Sequence, residues 1–262
     1  MFPEPAGFLT EFTYLFILVM MRFVGLFILT PVLSSDTFPR RVKIAAAFLL
    51  AVATAPILSA QFEVEIPPHL LLIFGDILRE LFIGIFLGFM VQIVFAAFQL
   101  AGQFIDIKLG FLIVNIFDPI TEATVPLTGQ FKNIIATLLF LAINGHLIMI
   151  DALYSTFETV PPGELIIEER AWGIFFRHAG DMFIIAFMIA LPIIGTIFLA
   201  DMIFGFLARS IPQINIFIVG LPAKIFIGML MMFLGANLIF GYYLDVFGEV
   251  FHYIEEVITF FS

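Results

Sequence analysis

The sequence predicts an all-α membrane protein with about six long hydrophobic helices, and three observations support this prediction. The chain has 262 residues, of which 62% are hydrophobic and 12% are charged. Its mean hydropathy is +1.16. Ionisable side chains are therefore too few to cover a water-soluble globule. The 36 Phe and 11 Met residues are spread along the whole chain, so the hydrophobicity belongs to several spans, and a soluble enzyme with one membrane anchor is excluded.

Six stretches are long and apolar enough to form transmembrane helices, which need about 20 residues. In chain order they are 8–33, 42–60, 70–101, 134–157, 183–208 and 214–244. We expect Pro192 and Pro222 to interrupt the last two spans. Lys and Arg are concentrated in the loops after the first, third and fifth spans, and the positive-inside rule then predicts that both termini lie outside the cytoplasm.

Three segments are neither spans nor ordinary loops. Segment 102–130 contains an apolar run, 111–117, which is too short to cross a bilayer and too hydrophobic for water, so we expect protein to cover it or a re-entrant path. Segment 165–177 contains the only Trp and is typical of a helix lying at an interface. Segment 245–261 has apolar residues at helical spacing and an acidic face, and we expect it to pack on a partner protein.

Ionisable residues inside the spans are candidate functional groups, because each costs at least about 2.5–3.5 kcal/mol on insertion scales. Arg22 lies in the middle of the first span. It is either a pore-facing or subunit-bridging cation, or one member of a structural ion pair. Asp76, Arg79 and Glu80 are spaced so that they can satisfy one another on one helical face.

Two short patterns predict close helix packing. Gly84 and Gly88 form a small-xxx-small motif, which allows helices to approach closely in lipid. Asn144-Gly145-His146 contains a histidine, but no accompanying nucleophile or metal-ligand motif is present. We therefore expect a packing role, with Gly145 at a close approach and the two polar side chains bonding across helices, and we do not expect an enzyme.

Charge and motif content also limit the ligands. The formal net charge is −10, which argues against nucleic acid or anionic lipid headgroups as the main partner. The chain has no cysteine, so disulfides, thiolate zinc sites and iron–sulfur clusters are excluded. A phosphate-binding Gly-rich loop ending in Gly-Lys-Ser or Gly-Lys-Thr is also missing from the sequence. We expect no cofactor and no metal.

A series of motifs follows in a specific order and spacing along almost the whole chain. They are Arg22-Phe23-Val24-Gly25 with Pro31, Glu80 with Gly84 and Gly88, Gly102-Gln103-Phe104-Ile105-Asp106 through Gly110 to Asp118-Pro119, Asn144-Gly145-His146, Pro161, and Asp201 leading to Arg209-Ser210-Ile211-Pro212-Gln213-Ile214-Asn215. Together they resemble the FliR family, the export-gate subunit of flagellar type III secretion, whose injectisome relatives are called SctT. The stretch 212–217, with Pro222 and Lys224 after it, resembles the flagellar branch more than the injectisome branch.

The resemblance implies an all-helical subunit of a protein-conducting gate in the bacterial inner membrane, at the flagellar basal body. It implies FliP and FliQ as partners in one hetero-oligomeric complex, FlhB and FlhA nearby, and unfolded flagellar proteins as export substrates. Residues 1–178 would be a FliP-like part, and 179–262 a FliQ-like helical hairpin followed by a C-terminal amphipathic helix. All of these residues would form a single integral membrane domain, 1–262.

The resemblance also implies roles for individual residues. A plug-like loop in the closed channel would contain Gly110, Phe111, Leu112, Ile113, Val114, Asn115, Ile116 and Phe117. Buried polar groups used in assembly would be Arg22, Glu80, Asp106, Asn144, His146, Asp201, Gln213, Asn215 and Lys224. Helix packing would use Gly84, Gly88 and Gly145.

Two alternatives remain open at this point. The chain could be the corresponding subunit of a virulence injectisome. It could also be a secondary transporter, in which broken helices and buried charges form a substrate site between repeated halves. Against a transporter, the chain shows no internal repeat, and both proline interruptions fall in its last third.

Overall fold

The computed structural model describes residues 5–34, 39–62, 64–111, 126–166, 169–211, 213 and 215–261, and within these ranges it is helical without strands. The helices are α1 (Pro5–Leu29), α2 (Arg40–Leu58), α3 (Leu70–Leu109), α4 (Leu127–Ala142), α5 (Gly145–Thr159), α6 (Glu169–Ser210), α7 (Ile216–Leu234) and α8 (Ala236–Ile258). The all-α prediction is confirmed.

The number of membrane spans agrees with the sequence. Within the described ranges, α1, α2, α3 and α6 are each long and apolar enough to cross a membrane. The pairs α4 with α5 and α7 with α8 are each joined by a short break, and counting each pair as one span gives up to six. The chain is therefore a polytopic helical membrane protein.

The positions of the helix breaks differ from the prediction. Pro192 lies inside α6 and Pro222 inside α7, and both helices continue through them. A proline removes one helical hydrogen bond, and membrane helices tolerate this loss when neighbouring groups satisfy the freed carbonyl. The breaks instead fall next to Asn144, whose backbone is left-handed with φ 57°, and at Gly235.

Two predicted surface segments belong to longer elements. Residues from Glu169 onward form the first turns of α6 rather than a separate interfacial helix, and Trp172 packs on Phe82 and Phe86. Segment 245–261, which we expect to pack on a partner protein, contains the end of α8, and that contact stays a prediction. Its apolar side chains are buried inside this chain, and the acidic residues are exposed, because the chain itself supplies the hydrophobic surface that covers them.

The chain divides into two compact units. The first unit contains 1–93, 141–179 and 249–262, and the second contains 94–140 and 180–248. In the first unit an aromatic cluster surrounds Phe86, whose ring centroid lies 5.0 Å from that of Phe175 and 5.3 Å from that of Phe261. In the second unit, Phe98 stacks on Tyr243 at 3.9 Å.

Candidate functional site

Arg22 is at the centre of a buried ion network in the first unit. Its side chain and that of Glu80 are both fully buried, and its Nε lies 2.5 Å from Glu80 Oε2. Nη2 donates to Glu80 Oε1 at 3.1 Å and to the Val160 carbonyl at 3.2 Å. Nη1 donates to Thr156 Oγ1 at 2.8 Å. A guanidinium has five N–H groups, so these four bonds leave little of it free to serve as a pore cation.

The surroundings complete this network. The Arg22 guanidinium lies 4.0 Å from the centroid of the Phe157 ring, which is within the range of a cation–π contact. Glu80 Oε1 also accepts a hydrogen bond from the backbone N–H of Gly163 at 2.7 Å. The pair therefore links α1 and α3 to the end of α5 and to the turn that follows it. Breaking one partner of such a pair costs far more than an exposed pair contributes.

The predicted local trio on α3 is only partly formed. Arg79 pairs with Asp76 at 2.9 Å, but Glu80 turns to Arg22 instead. The second carboxylate oxygen of Asp76 accepts a hydrogen bond from the Tyr14 hydroxyl at 2.7 Å. This bond is a second polar link between α1 and α3.

Next to the Arg22–Glu80 pair, on the side away from Tyr14 and Asp76, α1 and α3 cross with their backbones in contact. A Cβ on Gly84 would overlap the Arg22 carbonyl oxygen and would lie 2.6 Å from the Leu26 nitrogen. A Cβ on Gly25 would overlap the Leu81 carbonyl oxygen. A Cβ on Gly88 would lie 3.0 Å from Leu26 O, which is a looser contact. The small-residue motif on α3 thus faces Gly25, which belongs to neither of the two predicted packing patterns.

Asp106 caps a helix in the second unit. It is buried, and its two carboxylate oxygens accept the backbone N–H of Thr128 at 3.2 and 3.0 Å. Thr128 lies in the first turn of α4, where unpaired N–H groups favour a carboxylate. Close to this cap, a Cβ on Gly102 would overlap the Gly129 backbone. The two helices that flank 112–125 are therefore fixed to each other.

The implied plug lies mainly outside the described residues. Gly110, with φ 83°, ends α3, and Phe111 follows it as the last described residue before the gap. Leu112, Ile113, Val114, Asn115, Ile116 and Phe117 belong to the stretch that the structure does not describe. The role of this loop stays a prediction.

The remaining implied polar residues are spread over both units. Lys224 and Asp201 form an ion pair between α7 and α6. Gln213 and Asn215 are exposed in the turn between these helices, and Asn144 is exposed at the start of α5. His146 Nδ1 is buried without a hydrogen-bond partner among the described residues. Asn144 and His146 therefore do not show the cross-helix bonds that we expected. The assembly roles of all these residues stay predictions.

The geometry describes a scaffold that packs the helices of this chain against one another. Arg22 and Glu80 use most of their hydrogen-bonding groups within the ion network. In the described part of the chain, no group of His, Asp and Glu side chains is arranged to hold a metal ion. Sequence reasoning missed Tyr14, Thr156 and Gly163, which join the network from distant helices or turns. The sequence contains one signal for the close crossing of α1 and α3. Gly25 follows Arg22 by three residues, much as Gly84 follows Glu80 by four.

Comparison with known proteins gives the family. The family model described as "Bacterial export proteins, family 1" matches residues 13–250. The chain is similar to the flagellar biosynthetic protein FliR of Bacillus subtilis (strain 168), with 34% identity over 88% of this chain and 90% of the relative. It is similar to that of Escherichia coli (strain K12), with 30% identity over 92% and 91%.

A more distant relative comes from an injectisome. The Yop proteins translocation protein T of Yersinia pestis is 24% identical over 82% of this chain and 83% of that protein. Identity is thus higher to the flagellar proteins, and both kinds of relative are matched along most of their length. The chain belongs to family 1 of the bacterial export proteins.

Proposed function

We propose that this chain is the FliR-type subunit of a flagellar type III protein export gate. The observation that supports the proposal is the match to the export family over 13–250, with relatives named as flagellar biosynthetic proteins over about nine-tenths of both chains. In this role the chain joins FliP and FliQ in a hetero-oligomer that conducts unfolded flagellar proteins. FlhB and FlhA lie nearby, in the inner membrane at the basal body.

The surface of α6 supports a partner-binding role within such a gate. Many of its large apolar side chains are exposed, including Phe183, Phe187, Leu199, Met202 and Phe206. An apolar stripe of this kind needs either lipid or another protein to cover it. A gate subunit uses such stripes to contact its neighbours, while Arg22 and Glu80 keep the chain's own helices together.

The chain has two parts in this proposal. Residues 1–178 form the FliP-like part, which contains the ion network, and 179–262 form the FliQ-like hairpin with the C-terminal amphipathic helix. One subunit with both parts can close a ring between the two kinds of partner. The chain acts as a conduit component, and we assign it no catalytic activity.

The loop 110–117 is the plug of the resting gate in this proposal. Its apolar side chains exclude water from the channel, as hydrophobic constrictions do. The Asp106 cap and the Gly102 contact support it, because they fix the helices on both sides of the segment. The segment can then move aside without separating those helices.

Deletion of the gene from its own bacterium tests the proposed function. We expect cells without flagellar filaments that still produce filament protein and retain it inside. Expression of the wild-type chain from a plasmid should restore export. Normal filaments in the deletion strain would contradict the proposal, and loss of effector secretion with normal filaments would favour the injectisome alternative.

A further inference from the structure

An apolar groove in the second unit contains two buried polar groups whose bonding needs are not met by the described residues. The groove has a volume of about 270 Å³ and lies between α4, α7 and α8. Phe131, Met229, Phe233 and Phe240 form its apolar wall, and Lys132 and Tyr243 supply the polar atoms. We call it the Lys132 groove.

Lys132 is a buried cation that pairs with no carboxylate of the described residues. It is 3% exposed, and its one described interaction is with the Tyr243 ring, whose centroid lies 5.9 Å from Nζ. None of the ion pairs of the described residues includes it. A buried charge of this kind is costly unless it is paired and hydrogen-bonded.

The hydroxyl of Tyr243 is the second unmet group. Tyr243 is fully buried with its ring stacked on Phe98, and its hydroxyl has no hydrogen-bond partner among the described residues. A lysine ammonium offers three donors and a tyrosine hydroxyl offers one. Both lie in the same groove, so the missing group is an acceptor, and the lysine charge requires it to be an anion.

We propose that the Lys132 groove receives the Asp or Glu carboxylate of an apolar helix from a partner subunit. This inference rests on the proposed function, because a gate subunit has partner subunits. One carboxylate balances the one lysine charge and accepts the tyrosine hydrogen bond. The apolar body of the same helix covers Phe131 and Phe233, which are 57% and 78% exposed.

Three observations favour a protein over an anionic lipid. Aromatic residues and Met, which form the wall, are enriched at protein interfaces. The groove has room for a side chain and its neighbours but is small for a headgroup with two acyl chains. The net charge of −10 also repels anionic lipid from the chain as a whole, whereas a partner helix delivers its carboxylate as part of a larger apolar contact.

Recovery of the gate complex tests the proposal. The full chain is co-expressed with its partner subunits, and their recovery is compared for wild type, Lys132→Met and Lys132→Arg. We expect Lys132→Met to reduce recovery about tenfold or more, because the partner carboxylate is left buried and unpaired. Lys132→Arg should retain most of the recovery. The control Lys108→Met removes an exposed lysine of the same unit and should have no effect.

The same variants distinguish partner binding from folding. Lys132→Met removes a buried charge that no described residue of the isolated chain pairs with, so its thermal unfolding temperature in detergent should stay equal or rise. A lower temperature would show that Lys132 has a partner within the chain. A second variant tests whether a carboxylate of 112–125 is the partner of Lys132, by neutralising Asp118 and Glu122 together. If this variant loses as much complex as Lys132→Met does, the proposal is overturned.

Crosslinking identifies the occupant. A photoreactive residue at position 233 should attach to a partner peptide that contains an Asp or Glu within one helical turn. Attachment to lipid, to a second copy of this chain or to a peptide without a carboxylate would overturn the proposal. If the wild-type chain recovers no partner subunit, the proposed function fails; if it does and Lys132→Met recovers equal amounts, only this inference fails.

Discussion

The replacement Gly84→Ala tests the backbone contact between α1 and α3 with one methyl group. At Gly84 the new Cβ overlaps the Arg22 carbonyl oxygen and lies 2.6 Å from the Leu26 nitrogen and 2.9 Å from the Gly25 Cα. All three atoms belong to the backbone and cannot rotate away. The helices must therefore separate, and the Arg22 network, which bonds the same two helices, loses its geometry.

Gly75→Ala is the matched control, because Gly75 lies on the same helix and a Cβ there meets nothing within 4 Å. Both replacements gain the same helix propensity of about 1 kcal/mol, so this gain cancels in the comparison. The difference in unfolding free energy between the two variants is then the overpacking cost, about 1–3 kcal/mol or more. For a chain of this size, 3 kcal/mol corresponds to roughly 6–12 °C in Tm.

Thermal unfolding of the full chain in a mild detergent measures this difference. The Tm of Gly88→Ala should lie between those of Gly75→Ala and Gly84→Ala, because its Cβ would lie 3.0 Å from its nearest neighbours. We expect Gly75→Ala to match or exceed the wild-type Tm and Gly84→Ala to be the least stable of the three. Equal Tm values for the Gly75 and Gly84 variants would refute the close crossing.

Three further predictions follow from features described above. Arg22→Leu should destabilise the chain by about 3–5 kcal/mol, and Glu80→Leu added to it should cost much less than it does alone; additive losses in thermal unfolding would contradict the pair. Truncation after Leu244 removes buried apolar side chains worth about 1.5–3 kcal/mol each, so the chain should fail to accumulate, and normal levels on an immunoblot would contradict this. Deletion of 111–116 should leave the gate assembled but raise passive ion conductance across the membrane; an assembled, ion-tight gate would exclude the plug.

The helices were predictable because length and apolar composition act locally. A run of about 20 apolar residues has few alternatives to a helix in lipid, and each predicted span overlaps one helix or one broken pair of helices in the structure. The breaks were not predictable in the same way. Proline is the obvious sign of a break in a sequence, whereas the break in the structure lies at Asn144, whose left-handed backbone is one that asparagine tolerates better than most residues.

The site was harder to predict because its partners are distant in the chain. Spacing rules compare residues three or four apart, so they predict that Glu80 interacts with Asp76 and Arg79 on its own helix. Its partner in the structure is Arg22, 58 residues earlier. The same rules identify Gly84 as a packing residue, but they do not show that it contacts the backbone of α1. Lys132 precedes the predicted fourth span, 134–157, and so counts among the loop charges, because its burial depends on α7 and α8, about a hundred residues later in the sequence.

The clamp formed by Asp106 with the Thr128 N–H, and by Gly102 with Gly129, has an evolutionary consequence. Since the clamp fixes both flanking helices, the chain between them is a closed loop whose length can change at small thermodynamic cost. Doubling a flexible loop costs only about 0.6 kcal/mol in closure entropy. The helices can therefore keep their positions when residues are inserted or deleted between Phe111 and Pro126.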